Sequence, residues 1–229
     1  VDELNVEEYG VAFRKGSDVP DAVNTAFDEL KADGTMQALA DKAEEYPDVI
    51  FSHATGYMSN ETNFNNYFGR IYQARYLAGI AAGLKSLETG NNNLGYVSAF
   101  GTEYAETCSG INAFALGAQL TNPRARISLR WTCQPGNPTQ ELISEGIRVI
   151  SNRDIPTPGG FYLHAGGYGT YLVEDSGRLT ALASPCYLWG RFYENVIRSI
   201  LSGAWDQERD ASKAVNYWWG LNSGVIDVK

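Results

Sequence analysis

Apolar positions along this chain follow two alternating rhythms. "YGVAFRKGSD" reads as a short strand running into a turn, where Ser17 or Asp18 can cap a helix carrying Pro20 in its first turn. Val23, Ala26, Phe27 and Leu30 then fall at i, i+3, i+4 and i+7, the spacing of one helical face, and Gly34 supplies the stop. A second helix is predicted from Thr35 to Glu45, ended by Pro47. From Asp48 onward short apolar runs of buried-strand type appear: VIFSHA, LGYVSAF, RISLRW and IRVISN. Between them lie the polar loop TGYMSNETNFN, a helix over Asn66–Leu87 broken by TGNNN, a helix in EYAETCSGINAFALGAQL that ends before Asn122-Pro123, and a helix Pro138–Glu145 that Asn137 can cap. In the first of these, Tyr67, Ile71, Ala74, Ala78 and Ala81 trace one buried face, leaving Arg70 and Arg75 solvated off it. Such alternation predicts an α/β fold with a parallel sheet, assembled from four strand–helix units. Past Asp154 a Gly- and Tyr-rich stretch predicts strand fragments without a helix. RLTALAS, a helix in YLWGRFYENVIRSILSG and a final strand in the tail complete the pattern.

Charge narrows the function. A net charge of −9 opposes nucleic-acid binding, because phosphate backbones demand a basic surface. Residues 1–50 hold 13 of the 27 acids and 4 of the 18 bases, so the remaining residues balance to zero. Arg14 is the only arginine in that first segment, whereas arginine outnumbers lysine afterwards. This compositional break near residue 50 reads either as two segments of different origin or as one acidic surface helix pair. No apolar run reaches the length of a membrane span, and VDELNVEEYG has neither the basic nor the apolar region of a signal peptide. The start is therefore that of a cytoplasmic chain or of one whose export signal is gone. Cys108, Cys133 and Cys186 are an odd number without a CxxC, and are read as buried, inert thiols. With only His53 and His164 present, a His-rich metal site is not expected. Glu103 and Glu106 suit a helix start, and no acid, base and oxyanion set can be assembled for an enzyme. No P-loop exists, and GGYG lacks the strand-to-helix context of a dinucleotide site.

From Tyr46 to the C-terminus the blocks YPDVIFSHATGY, NYFGRIYQARYLAGI, GYVSAF, GINAFALGAQLTNPRARISLRW, YLWGRFYENVIRSILSGAW and YWWGLNSGVIDV occur in an order and spacing that resembles the BMP (basic membrane protein) family of ABC-transporter substrate-binding proteins. The resemblance implies a type I periplasmic-binding-protein fold, with two α/β lobes of parallel sheets flanked by helices and a small ligand, a purine nucleoside or a related molecule, in the cleft. It further implies a lipoprotein-like, membrane-associated position outside the cytoplasm, ABC permease subunits as partners, and no cofactor or metal. Residues 1–43 resemble instead the C-terminal end of type II amino-acid-binding receptors, so two regions are expected, 1–45 and 46–229. A BMP receptor carries about 90–110 further N-terminal residues, a length implied by two lobes of ordinary size. The N-lobe is thus expected to be incomplete, as in a fused or truncated remnant with weak or no binding, and an exposed sheet edge would then invite a homodimer.

In such a fold the loops at the carboxyl ends of parallel strands line the ligand. By resemblance Tyr57, Asn63 and Tyr67 become ligand candidates, a ring to stack on a base and an amide to bond its edges. Trp131 is either a strand-end core residue or a stacking platform. Asp154 either accepts ribose hydroxyls or caps a turn. Trp189, beside Gly190 at a helix start, either walls the cleft or packs between lobes. Two departures stand out. Gln134 and Asn137 occupy a loop where the family carries an aromatic before Asp-Pro, and no acid follows HAGGYGTYL until Glu174 and Asp175.

Overall fold

The computed structural model describes residues 36–54, 59–60, 62–98, 105–152, 169–203 and 216–229. The strand and helix expected before residue 35 lie outside these residues. In chain order the elements are helix α1 (Met36–Glu45), strands β1 (Phe51–Ala54) and β2 (Phe64–Gly69), helix α2 (Ile71–Thr89), strand β3 (Asn93–Ser98), helix α3 (Ala105–Thr121) and strand β4 (Arg126–Trp131). Helix α4 (Pro138–Ser144) and strands β5 (Val149–Asn152), β6 (Gly169–Val173), β7 (Leu179–Ala183) and β8 (Pro185–Tyr187) follow. Helix α5 (Trp189–Leu201), strand β9 (Asn216–Trp219), a 3-10 turn (Leu221–Ser223) and strand β10 (Ile226–Val228) complete the chain. They form two units, one from Arg70–Trp189 and Gly220–Lys229, the other from the described residues up to Gly69 and from Gly190–Trp219.

The larger unit holds a five-stranded sheet of order β4-β3-β5-β6-β7, parallel among its first three strands and antiparallel through β6 and β7. Alternation along β3 loads both faces. Leu94 and Tyr96 pack with Ala78 and Ala82 of α2 and with Phe114 and Ala118 of α3. Val97 turns to the opposite face and meets Leu142 of α4 with Ile150 and Tyr171. Strand β10 pairs antiparallel with β8, and Ile226 buries against Ile71 and Ala74.

Helices α2 and α3 touch backbone to backbone. A Cβ on Gly79 would stand 2.2 Å from the Phe114 carbonyl oxygen, and one on Gly117 would stand 2.1 Å from that of Tyr76. Only glycine permits this approach. Arg75 departs from the sequence expectation: it is buried, 6% exposed, with its guanidinium over Gly110 and Nη1 donating to the Glu106 carbonyl at 3.4 Å. The reason lies across the interface, where Gly110 leaves a slot that helical periodicity on α2 alone does not reveal.

The smaller unit carries a parallel sheet of order β1-β2-β9. Its middle strand is another departure, since the predicted helix from Asn66 begins only at Ile71. Asparagine and glycine are poor helix formers, and Phe64, Tyr67 and Phe68 suit a pleated surface. Flanked on both sides, this segment gains two ladders of backbone hydrogen bonds that a helical turn would forgo. Tyr67, Tyr217 and Trp219 line one face under Phe192 of α5, with Tyr67 and Phe192 stacked at 4.2 Å. On the other face Asn66 donates to Asn216 at 3.0 Å, beside Phe68 tilted against Trp218.

Candidate functional site

Parallel strands aim their carboxyl ends at one edge of a sheet, and there the larger unit gathers polar side chains. Strands β3, β4 and β5 end at Ser98, Trp131 and Asn152. The turn after β4 is locked back onto β3 by the Thr132 amide, which donates to the Ser98 carbonyl at 2.9 Å. Gly136 holds a φ of +119°, and Asn137 then caps α4 as expected, its side chain accepting from the Gln140 amide at 3.0 Å. Arg130 anchors the helix from below through ion pairs with Glu141, at 3.3 Å, and Glu145.

Two sets of side chains result, one on each face of this edge. Trp131, half-buried, shares the α2 and α3 face with Ser98, its partner in register. On the α4 face Asn152 donates to the Thr139 hydroxyl at 3.2 Å, and the Tyr171 ring lies 1% exposed beside them. The Tyr171 hydroxyl is buried and has no hydrogen bond among the described residues. Burial pushes its pKa up, with Thr139 and Asn152 near enough to oppose the shift, so it is a neutral phenol at ordinary pH. A buried hydroxyl left without a partner marks a place for water or for a ligand group.

The residues singled out from sequence fall into distinct settings. Asn63 is 2% exposed and its amide is fully engaged: Nδ2 donates to the carbonyls of Ala43, Tyr46 and Val49 at 2.7–3.0 Å, while Oδ1 accepts from Asn60 and Thr62. It clips the end of α1 to the start of β1, and a buried carbonyl that its loss left unmet would cost about 1–3 kcal/mol. Tyr67, 4% exposed, shares a hydrogen bond with the Tyr193 hydroxyl at 3.0 Å. Trp189 stacks on Tyr187 at 4.6 Å and 10°, and Tyr187 in turn donates to Glu106 at 3.0 Å. A Cβ on the neighbouring Gly190 would meet nothing within 4 Å. Tyr57 and Asp154 lie outside the described residues, as does Glu103.

Thr139 and Tyr171 were not visible to sequence reasoning. Asn152, an amide closing the IRVISN run, carried the one signal that could have been followed. The thiols also differ from expectation. Cys186 is buried, and burial with the nearby Asp227 pushes its pKa up, but Cys108 is only half-buried and Cys133 is exposed in the turn after β4. Among the described residues no three His, Cys, Asp or Glu side chains gather as metal ligands, and no helix is long and apolar enough to cross a membrane.

Comparison with known proteins adds the context. Residues 5–172 match the family model of PnrA-like ABC transporter substrate-binding proteins, a match that runs across the boundary expected near residue 45. A Haloferax volcanii protein, TsgA13, named for glucose binding by an ABC transporter, is 39% identical over 194 residues, covering 80% of this chain and 46% of that protein. The purine-binding protein BAB2_0673 of Brucella abortus is 30% identical over 207 residues, covering 84% of this chain and 54% of its own. The chain thus spans about half the length of these relatives. Among solved structures, a Bacillus halodurans transcriptional activator of the comK gene superposes with a TM-score of 0.61 at 18% identity, over 91% of this chain and 75% of that one. An Aeropyrum pernix ABC solute-binding protein gives 0.55 at 14% identity, over 84% and 57%. At such identities these two establish the type of fold and nothing finer.

Proposed function

The chain belongs to the family of PnrA-like ABC-transporter substrate-binding proteins, and from that premise we propose that it captures a small polar solute outside the cytoplasm for an ABC permease. The solute we favour is a nucleoside or purine-like molecule, met at the carboxyl edge of the β4-β3-β5 strands. The observation that carries this reading is the unpartnered Tyr171 hydroxyl beside Asn152 and Thr139. A phenol, an amide and a secondary hydroxyl can each give or accept a hydrogen bond, which suits ribose hydroxyls or the edge of a base. Trp131 at the same edge supplies a ring on which a planar base can stack. Asp154, two residues beyond β5, joins the proposal by its place after a strand end, and Tyr57, three beyond β1, is a separate ligand candidate of the smaller unit. We assign Asn63, Tyr67 and Trp189 structural roles instead, because their polar atoms and rings are engaged within the protein.

No covalent chemistry is required. Binding stabilises whichever arrangement of the loops meets the solute best, and the protein hands it on unchanged. A second reading, a hexose, rests on the same hydroxyl-seeking group and on the name of the Haloferax relative.

A thermal-shift series with adenosine, guanosine, inosine, free purines and glucose tests both. A nucleoside is expected to raise the melting temperature, since only the folded chain binds it, and Tyr171→Phe is expected to reduce that shift without lowering the unliganded midpoint by more than about 3 °C. A shift with glucose alone would replace the first reading by the second. A well-folded protein that responds to none of them refutes both.

A further inference from the structure

At the opposite, amino-terminal edge of the five-stranded sheet lies a concavity of about 780 Å³ between the starts of β3 and β4 and the end of α3. Its wall is unusual in composition: Asn91, Asn92, Asn93, Gln119, Arg124 and Arg126 contribute the polar groups, and no carboxylate lines it.

The frame is fixed by internal hydrogen bonds. Asn122, 1% exposed, donates to Ser86 Oγ and to Asn92 Oδ1, both at 2.8 Å, and accepts from the Arg124 amide at 3.1 Å. The Arg126 amide donates to the Asn92 carbonyl at 2.9 Å, and Asn91 bridges the Asn93 amide and the Gly146 carbonyl. What the frame presents is left uncommitted. The guanidiniums of Arg124 and Arg126 are exposed and, among the described residues, make no ion pair or hydrogen bond, and the side-chain amides of Asn93 and Gln119 make none either. The other surface arginines of this sheet differ: Arg130, Arg148 and Arg178 each meet a carboxylate. In a chain of net charge −9, two unneutralised cations held over an amide-lined hollow form a local positive field that reaches about 8 Å at physiological salt.

We propose that this concavity is a docking site for an acidic peptide segment of a protein partner. Guanidiniums bind carboxylates in a two-pronged geometry, and side-chain amides both give to and accept from a peptide backbone. The hollow is in the size range that holds a ligand of many atoms, far larger than an inorganic anion needs. Its place at the far edge of the sheet from Tyr171 and Asn152 lets a partner and a solute be held at once, so the inference does not depend on the identity of the solute.

Fluorescence anisotropy with the full chain tests it, using a labelled ten-residue peptide of alternating glutamate and glycine and its glutamine counterpart. The acidic peptide is expected to bind, the glutamine peptide to bind at least about 10-fold more weakly, and raising NaCl from 50 to 200 mM to weaken the acidic complex several-fold. Arg124→Glu with Arg126→Glu is expected to weaken it at least about 10-fold, with the milder pair Arg124→Gln and Arg126→Gln giving the same direction should charge reversal perturb folding. Equal binding by wild type and both variants would overturn the proposal, as would absence of binding to the wild type. Full competition by equimolar phosphate would overturn it too, because the site would then belong to a small anion.

Discussion

His53 and Tyr171 each bury a polar atom that finds no partner among the described residues, and the two differ in consequence. The Tyr171 phenol stays neutral when buried, so what it gives up is a hydrogen bond and not the hydration of a charge. His53 is held with its imidazole pKa below the usual 6.5 by burial, which disfavours the cation. The folded chain therefore resists a proton that the unfolded chain accepts, and stability falls as pH drops from about 6.5 towards the depressed folded value, with no contribution above that window. The wild-type melting midpoint is expected to fall more between pH 7.0 and 5.5 than that of His53→Gln; parallel curves for the two proteins would refute it. The carboxylates held low, Glu174 by Arg178 and Thr180 and Asp227 by Lys229, lose their contribution only below the carboxylate range, outside this window. Residue types were legible in the sequence, but their uses were not. Asn63 looked like a free amide after a loop, yet its acceptors sit 14–20 residues earlier in the chain. Tyr67 spends its hydroxyl on a residue 126 positions away.

At the scale of elements, the glycines that look like weak points in α2 and α3 hold the helix pair together. Gly79→Ala gains about 1 kcal/mol of helix propensity, but its methyl must displace the Phe114 backbone, and overpacking of a rigid contact costs about 1–3 kcal/mol or more. A net loss of about 2 kcal/mol in urea denaturation is expected, against a gain of up to about 1 kcal/mol for Gly190→Ala in α5, where a Cβ meets open space. Equal effects at the two sites would mean that the close contact is not energetically significant. Most elements after Asp48 were legible from period alone, including the Asn137 cap and the stop at Asn122-Pro123. Strand β2 was not, because a mixed run of Asn, Tyr and Phe is ambiguous until strands β1 and β9 offer it hydrogen-bond partners on both sides. Buried Arg75 escaped for a related reason, as the space it fills is made by a glycine on another helix.

Across the whole molecule, the chain returns to each unit after leaving it, so its last fourteen residues serve both. Strand β9 is the third strand of the small sheet and brings Tyr217 and Trp219 to Phe192. Strand β10 pairs with β8, and Lys229 exchanges backbone hydrogen bonds with Ser184. Ending the chain at Val215 is expected to abolish the cooperative thermal transition by circular dichroism, and a truncated protein that melts within a few degrees of wild type would contradict this account. Apolar periodicity alone determined that this is a parallel-rich α/β protein and which side is buried in most of its elements, because side-chain direction follows from local backbone geometry. Only the tertiary structure decided that β6 and β7 run antiparallel, that β9 lies beside β2, and that Asn152, Thr139 and Tyr171 converge at one edge. Those outcomes depend on pairings between residues up to 150 positions apart, whose free energies leave no trace in any local window of the chain.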